Sequence, residues 1–337
     1  MSDSIAILKE KISKSQQISI IPHKGPDGDA IGSTLGLYHF IRTMQPNVKV
    51  IVPDAFPFFL DFLPGTETIL NFETNTEEAK DFIAASDVIF SLDHGQVQRC
   101  GEIAPCVNQS NAYKVVIDHH PDVENGFDFY FHDIKASSTC ELVTLFIKVW
   151  DENYAISKEM ATCLYSGLLT DTGSFKFALR KETFQVAEIL FSAGIDPAEI
   201  SGNLFDVNTP ERLKLLGFAL NDRLTVLPEY NTAFIALSYE DMQQFHLQKG
   251  DTEGLVNYTL SLQGMQFGVF FREQEPGETR ISFRSKGTFP ANEFSTRYFN
   301  GGGHLNAAGG FNPASVAETV EKFKTLLPAY FHEKVKA

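Results

Sequence analysis

Four short stretches of the chain put aspartate and histidine together in spacings that could hold metal ions. They are His23, Asp27 and Asp29 in IPHKGPDGDAIGS (21–33), Asp93 and His94 in SLDHG (91–95), Asp118, His119 and His120 in VVIDHHP (115–121), and Asp171 in GLLTDTGSF (167–175). A single Asp at the end of a strand or helix is usually a turn former. Four separate segments ending this way, one of them in His-His, are not explained by turn preference. Carboxylates mixed with imidazoles suit Mn²⁺, Mg²⁺, Zn²⁺ or Fe rather than a thiolate site. Two such cations about 3.5–4 Å apart, sharing a carboxylate, offset charge on a phosphoryl group and turn a water into hydroxide near neutral pH. The chemistry implied is phosphoester hydrolysis. The pattern suggests His23 and Asp27 on one metal, Asp29, His119 and Asp171 on the other, and Asp93 between them.

Residues so far apart meet only if the fold gathers their segments. Ile18–Ile21, Val48–Val52, Val88–Leu92 and Val115–Ile117 are short β-branched runs that predict buried parallel strands. Helical patterns alternate with them, one beginning near Ala30 and carrying Leu35, Leu37, Phe40 and Ile41. Such alternation predicts an open α/β sheet, whose ligands collect at the carboxyl ends of the strands. From Ser138 to about Leu224 the pattern is mostly helical, over Cys140–Trp150, Lys158–Leu169, Thr183–Ala193 and Pro210–Leu220. LPEY at 227–230 breaks it. Strand-like runs follow at Thr232–Leu237, Met265–Phe271 and Thr279–Phe283, then a glycine-rich loop, NGGGHLNAAGG (300–310), and a terminal amphipathic helix. The expected fold class is α/β: a parallel-sheet domain over 1–222 with helices on both faces, a linker at 223–230, and a smaller α/β domain over 231–337.

Composition narrows the partners. Lys+Arg 28 against Asp+Glu 43 gives a net charge of −15 with His neutral, and no basic stripe appears. Proteins that grip long duplex DNA carry such a stripe, so a phosphate-bearing substrate should be short or met by local positive groups and metal ions. The four cysteines, Cys100, Cys106, Cys140 and Cys163, have neither C-x-x-C pairing nor zinc-finger spacing, which suits a reduced compartment. The first seventeen residues read as a mixed-charge helix rather than a signal peptide, and no apolar run reaches the roughly 18 residues of a membrane span. A cytoplasmic location is expected, with no membrane partner.

The ordered set His23-x-x-x-Asp27-x-Asp29-Ala30-x-Gly32-Ser33, Asp93, Asp118-His119-His120 and Asp171 resembles the four motifs of the DHH phosphoesterase superfamily. GGGH at Gly301–His304 followed by AAGG resembles the DHHA1 substrate-binding domain. Within the superfamily, the bifunctional oligoribonuclease and pAp-phosphatase (nanoRNase A-like) group is the most similar. The resemblance runs over nearly the whole chain. It implies two divalent metal ions, Mn²⁺ by habit of the family, on the ligands already singled out. His120 would face the substrate phosphate and Asp118 would orient a ligand. His94 would either approach substrate or cap its strand. In the second domain, Gly301, Gly302 and Gly303 would let backbone N–H groups approach a phosphate or ribose beside His304. The resemblance also implies that Arg284 would meet a terminal phosphate with Lys286 assisting, and that the segment 251–257 would lie near the cleft.

The function so implied is hydrolysis of short single-stranded RNA or DNA oligonucleotides to mononucleotides, and of pAp to AMP. Attack would be in line on a phosphorus held between the metals, with His120 or a water protonating the leaving oxygen. Two other functions are consistent with the scaffold: a cyclic-dinucleotide phosphodiesterase, which shares both domains, and a non-catalytic nucleotide-binding regulator. The regulator would show damaged metal motifs, whereas every motif position here is intact. Relatives in the family are often dimers, so a homodimer is also expected.

Overall fold

The structure is a computed structural model that describes residues 2–247 and 250–335. The chain divides into two compact units, Met1–Val207 and Asn208–Ala337.

In the first unit six strands form one sheet: β1 (Ile18–Ile21), β2 (Val48–Val52), β3 (Leu70–Asn71), β4 (Val88–Leu92), β5 (Tyr113–Asp118) and β6 (Phe129–His132). Every pairing is parallel, and the order is β3-β2-β1-β4-β5-β6. The chain therefore winds outward from β1 in one direction, then returns to start again at β4. That reversal opens a crevice beyond the carboxyl ends of β1 and β4. Helices cover both faces: α1 (Ser2–Lys14), α2 (Gly28–Ile41), α3 (Thr76–Ala84), α4 (Ala104–Gln109), α5 (Thr139–Trp150), α6 (Lys158–Asp171), α7 (Lys181–Ser192) and α8 (Pro197–Phe205). Alternate strand residues serve two cores. Ile18, Ile20, Phe90 and Ile117 pack on the side of α2, α5 and α6, while Ile21, Ile89 and Val116 pack on the side of α3 and α4.

Helices α2 and α6 meet through residues that lack bulk. A Cβ at Gly32 would lie 2.5 Å from the Cys163 carbonyl oxygen, and one at Gly36 would run into the Leu164 side chain. Only glycine at both positions allows this approach. It brings the start of α2, with Asp27 and Asp29, against the end of α6 and Asp171.

The second unit holds α9 (Pro210–Asp222), β7 (Leu224–Leu227), β8 (Thr232–Leu237), α10 (Tyr239–Gln243), α11 (Leu255–Ser261), β9 (Phe267–Glu275), β10 (Glu278–Ser285), α12 (Ala291–Tyr298), β11 (Gly302–His304), β12 (Ala307–Asn312) and α13 (Val316–Val335). Its sheet runs β11-β12-β10-β9-β8-β7, antiparallel except for β8 beside β9. One face packs a phenylalanine-rich core, Phe267, Phe271, Phe283, Phe294 and Phe323 among it, against α12 and α13. The other face is covered over β8 and β9 by α9 and α11 through Leu215, Ala219, Ile235, Leu255 and Phe270. Helix α9 thus packs with the second unit, and the stretch 223–230 contains β7 and a short 3₁₀ turn, Pro228–Tyr230. The glycine-rich segment at 300–310 is not a loop but a β-hairpin, with Gly302 opposite Gly309 and His304 opposite Ala307. No helix among the described residues is long and apolar enough to cross a membrane.

Candidate active site

Each candidate side chain of the first unit stands where a regular element ends. The chain leaves β1 through Pro22 and His23, and Asp27 then caps α2, its Oδ1 accepting from the amides of Asp29 and Ala30 at 3.1 Å each. A cap at this position satisfies two of the four amides that a helix start leaves without partners. Asp29, in the first turn, points at a different helix. Its Oδ2 accepts from the Thr139 amide at 2.6 Å and its Oδ1 from the Cys140 amide at 2.9 Å, the first two residues of α5. Helix starts favour negative charge, so two helix N-termini, those of α2 and α5, hold carboxylates here.

Asp93 follows β4 with φ +61°, a left-handed conformation costly for a residue with a side chain. From this turn its carboxylate faces the other candidates. Oδ1 accepts from the Thr139 hydroxyl at 2.9 Å and lies 3.6 Å from both His119 Nε2 and His120 Nδ1, while Oδ2 is 3.4 Å from His23 Nε2. His119 Nδ1 faces the Ala136 carbonyl at 3.2 Å, which fixes that nitrogen as the donor. Its Nε2 then points with a lone pair at Asp29 Oδ2, Asp93 Oδ1 and Asp171 Oδ2, at 3.8, 3.6 and 3.7 Å. These are too long for hydrogen bonds. They are near the separation of donors that share one cation at about 2.1 Å each.

Two of the groups of three that could hold a cation match the ligand sets expected from the sequence. His23, Asp27 and Asp93 each offer an atom within 4.8 Å of the others, as do Asp29, His119 and Asp171. His23, Asp29, Asp93 and His119 form a buried floor, and Asp27 and Asp171 an exposed rim. Among the described residues no lysine or arginine is ion-paired to Asp27, Asp29, Asp93 or Asp171. Burial, with Asp93, Asp171 and Asp27 alongside, raises the Asp29 pKa well above the usual carboxylate range. Asp171 stands at the rim, but its carboxyl faces the cluster, and loss of water there raises it to about 6, with Asp27 and Asp93 adding to the rise against His119. Burial would lower His23, but the Asp93 hydrogen bond and the Asp27 charge outweigh it and lift the ring to about 8. Carboxylates crowded this way lack positive charge, and the oxygen–imidazole set matches divalent cations. The residues fit such ions.

The remaining positions differ in kind. Asp118 ends β5, fully buried, and its Oδ1 bonds His120 Nδ1 at 2.8 Å. It therefore orients the outer histidine, not a member of the two groups of three. Its Oδ2 is buried without a hydrogen-bond partner. His94 turns inward: Nδ1 lies 3.1 Å from the Gln96 carbonyl, Nε2 3.2 Å from the Ile21 carbonyl and from Cys100 Sγ, and burial lowers its pKa to about 4. It ties the end of β4 to β1 from inside the fold.

Sequence reasoning passed over Thr139 and the group behind it. Glu141, fully buried, accepts from Ser137 Oγ at 2.6 Å, Thr183 Oγ1 at 2.7 Å and Arg180 Nε at 2.5 Å, and Arg180 Nη1 reaches Asp133 at 2.5 Å. The local signal was present. Ser138-x-x-Glu141 is a helix-start spacing, and Ser138 Oγ does accept the Glu141 amide at 3.0 Å. In the second unit, Lys286 Nζ bonds the Leu260 carbonyl at 2.5 Å, and Arg284 stands on β10 opposite Ala307 with Nη1 on its neighbour's carbonyl, Phe283 O, at 3.0 Å. Gly301, Gly303 and Gly310 are needed by the hairpin's packing, whereas a Cβ on Gly302 or Gly309 would meet nothing nearer than 4.0 Å.

The family models match in the same order. The DHH family N-terminal domain covers residues 17–168 and the DHHA1 domain residues 231–333. A Streptococcus mutans protein named as a probable bifunctional oligoribonuclease and PAP phosphatase NrnA is 29% identical over 94% of this chain and 96% of its own. A Bacillus subtilis protein named cyclic-di-AMP phosphodiesterase GdpP is 27% identical over 98% of this chain but 50% of its own. The crystal structure of an exopolyphosphatase-related protein from Bacteroides fragilis superposes with a TM-score of 0.92 at 38% identity, covering 98% of this chain and 97% of that one. With both domains present in order and a relative matched end to end, the chain belongs to the DHH family and carries a DHHA1 domain.

Proposed function

We propose that this chain is a metal-dependent phosphoesterase that hydrolyses short single-stranded oligonucleotides to mononucleotides and pAp to AMP. The observation that carries the reading is the pair of ligand groups, His23–Asp27–Asp93 and Asp29–His119–Asp171, which touch through Asp93 Oδ1 and His119 Nε2 at 3.6 Å. The NrnA relatives, matched along nearly their full length, support the choice of substrates.

His23 and Asp27 would hold one divalent cation, Asp29, His119 and Asp171 the other, and Asp93 would serve both. Bound there, the ions would supply a water deprotonated near neutral pH and offset the charge of the phosphoryl oxygens. Thr139, by donating to Oδ1, orients the Asp93 carboxylate. Ala136 fixes the tautomer of His119. Asp118 holds His120 by Nδ1, and His120 would donate a proton to the leaving oxygen. In the second unit, Arg284, Lys286 and His304, with the bare strand surface at Gly302, would contact the nucleotide.

Cyclic-dinucleotide hydrolysis is the second reading, favoured by the match of GdpP relatives to 98% of this chain. One assay separates the two. RNAs of two to about twenty-four nucleotides, pAp, linear pApA and cyclic di-AMP are incubated with the chain and Mn²⁺, with Asp93→Ala alongside. Mononucleotide release from the shortest RNAs, lost in the variant, supports the proposal. Cleavage of the cyclic dinucleotide alone moves the assignment to the second reading.

A further inference from the structure

In the second unit two arginines, Arg272 and Arg212, donate to one turn at Thr252 and Glu253, and a third, Arg280, is the register partner of Arg272. Arg272 on β9 and Arg280 on β10 are register partners in an antiparallel pair, so both side chains leave the same face from Cα atoms roughly 4.5–5.5 Å apart. Like charges placed directly opposite are destabilising. Arg280 is exposed, while Arg272 is half-buried, and burial together with the Arg280 charge lowers its pKa. Arg272 Nη1 donates to Thr252 Oγ1 at 2.6 Å, and Arg212 on α9 donates from Nη2 to the carbonyl of the next residue, Glu253, at 3.1 Å. Glu253 is the carboxylate that acts on Arg272, through its charge. Among the described residues none of Arg212, Arg272 and Arg280 is ion-paired. Arg223 in the same unit, by contrast, forks onto both oxygens of Asp241 at 2.7 Å. On this face α9 and α11 cover β8 and β9, where Arg272 is half-buried, while Arg280 on β10 is exposed.

The chain carries a net charge of −15, and an acidic protein has many carboxylates with which to neutralise such a group. Two opposed guanidiniums, one half-buried, are instead suited to a dianion that both can chelate. The geometry points to a phosphomonoester site formed by Arg272 and Arg280, with Arg212 at its margin, that binds the terminal phosphate of a nucleotide. The inference rests on the proposed nucleotide substrates, and it adds a phosphate contact at Arg272 and Arg280 beyond those proposed for Arg284, Lys286 and His304.

Binding without metal tests it independently of hydrolysis. With EDTA present, calorimetric titration of the full chain compares 5′-AMP with adenosine. AMP should bind at least about 10-fold more tightly, the scale of a charge-assisted pair. Arg280→Ala and Arg272→Lys, which keeps the charge but loses the fork, should each erase most of that ratio. Arg297→Ala, on a surface pair with Glu333, should keep it, and circular dichroism checks that the variants fold. Equal affinity for AMP and adenosine, or an unchanged ratio in both variants, overturns the site. A kinetic comparison of pNpN with NpN in Mn²⁺ then separates the two claims. Failure to hydrolyse either, with the AMP preference intact and lost in the variants, removes the enzymatic reading and leaves the phosphate site standing.

Discussion

Asp29 and Thr139, 110 residues apart in sequence, are joined by a 2.6 Å hydrogen bond from the Thr139 amide to Oδ2 of Asp29. The same threonine sends its hydroxyl to Asp93 at 2.9 Å. One residue at the start of α5 thus spaces two carboxylates belonging to different segments. Thr139→Val keeps the amide and the shape but removes the hydroxyl. Groups that orient ligands in this way change metal affinity by about 10–100-fold when lost. Calorimetric Mn²⁺ titration should show weaker binding by that factor with little change in thermal stability. Unchanged affinity would mean that Asp93 is held by its backbone alone.

The metal-free protein should become less stable as pH rises from 6 to 8.5. His23 is held at about 8 against 6.5 when unfolded, so the fold favours its charged form. That contribution, about 2 kcal/mol by linkage, is complete below pH 6.5 and is lost as pH rises through 8. Asp171, raised to about 6, acts with the same sign, because the fold favours its neutral form. Mn²⁺ should reverse the trend, since its ligands must be deprotonated. Thermal melts in EDTA and in Mn²⁺ across this range check both halves. A metal-free melting temperature that climbs with pH contradicts the account.

Arg180→Ala leaves Glu141 buried without its cation, and losing one partner of a buried pair costs about 3–5 kcal/mol. The double change Glu141→Gln with Arg180→Met removes both charges and should recover much of that loss. Urea unfolding of the single and double variants measures it. If the double variant is no better than the single, the packing of the arginine stem, not the charge, is what matters.

Gly302 and Gly303 should respond differently to a methyl group. Gly303 has φ +136°, and a Cβ there would sit 2.5 Å from the Ala307 carbonyl oxygen, so Gly303→Ala should lower the melting temperature. At Gly302 the space is open. Gly302→Ala should fold as the parent does and raise KM for short RNA several-fold if substrate lies on that strand. An unaltered KM would place the substrate elsewhere.

The parallel strands of the first unit were legible because each is a compact β-branched run. The candidate site was legible because Asp and His stand at the ends of those runs and of one helix. Two strands of that unit were not legible, β3 for having two residues and β6 for its mixed sequence FYFH at a sheet edge. The hairpin at 302–312 reads as a loop because glycine disfavours strands, and only the pairing partners around it settle its form. Thr139 and Arg180 were not read as part of the site because their contacts with Asp93 and Glu141 span 46 and 39 residues. No local spacing encodes such pairs. The inward turn of His94 follows from burial, which neighbouring residues do not announce.

The glycine contact between α2 and α6 has a consequence for ion selection. Asp27 and Asp29 begin one helix and Asp171 ends the other, so the pair works like the jaws of a caliper closed on a stop. The stop is the contact at Gly32 and Gly36, one and two turns along from the carboxylates. A methyl at Gly32 would act as a shim, roughly 1 Å inside normal contact with Cys163. It would open the jaws without touching a ligand, and a wider gauge favours larger cations over Mg²⁺, which demands short, near-ideal bonds. The size of ion that the proposed site would accept is therefore written partly in side chains the chain does not have.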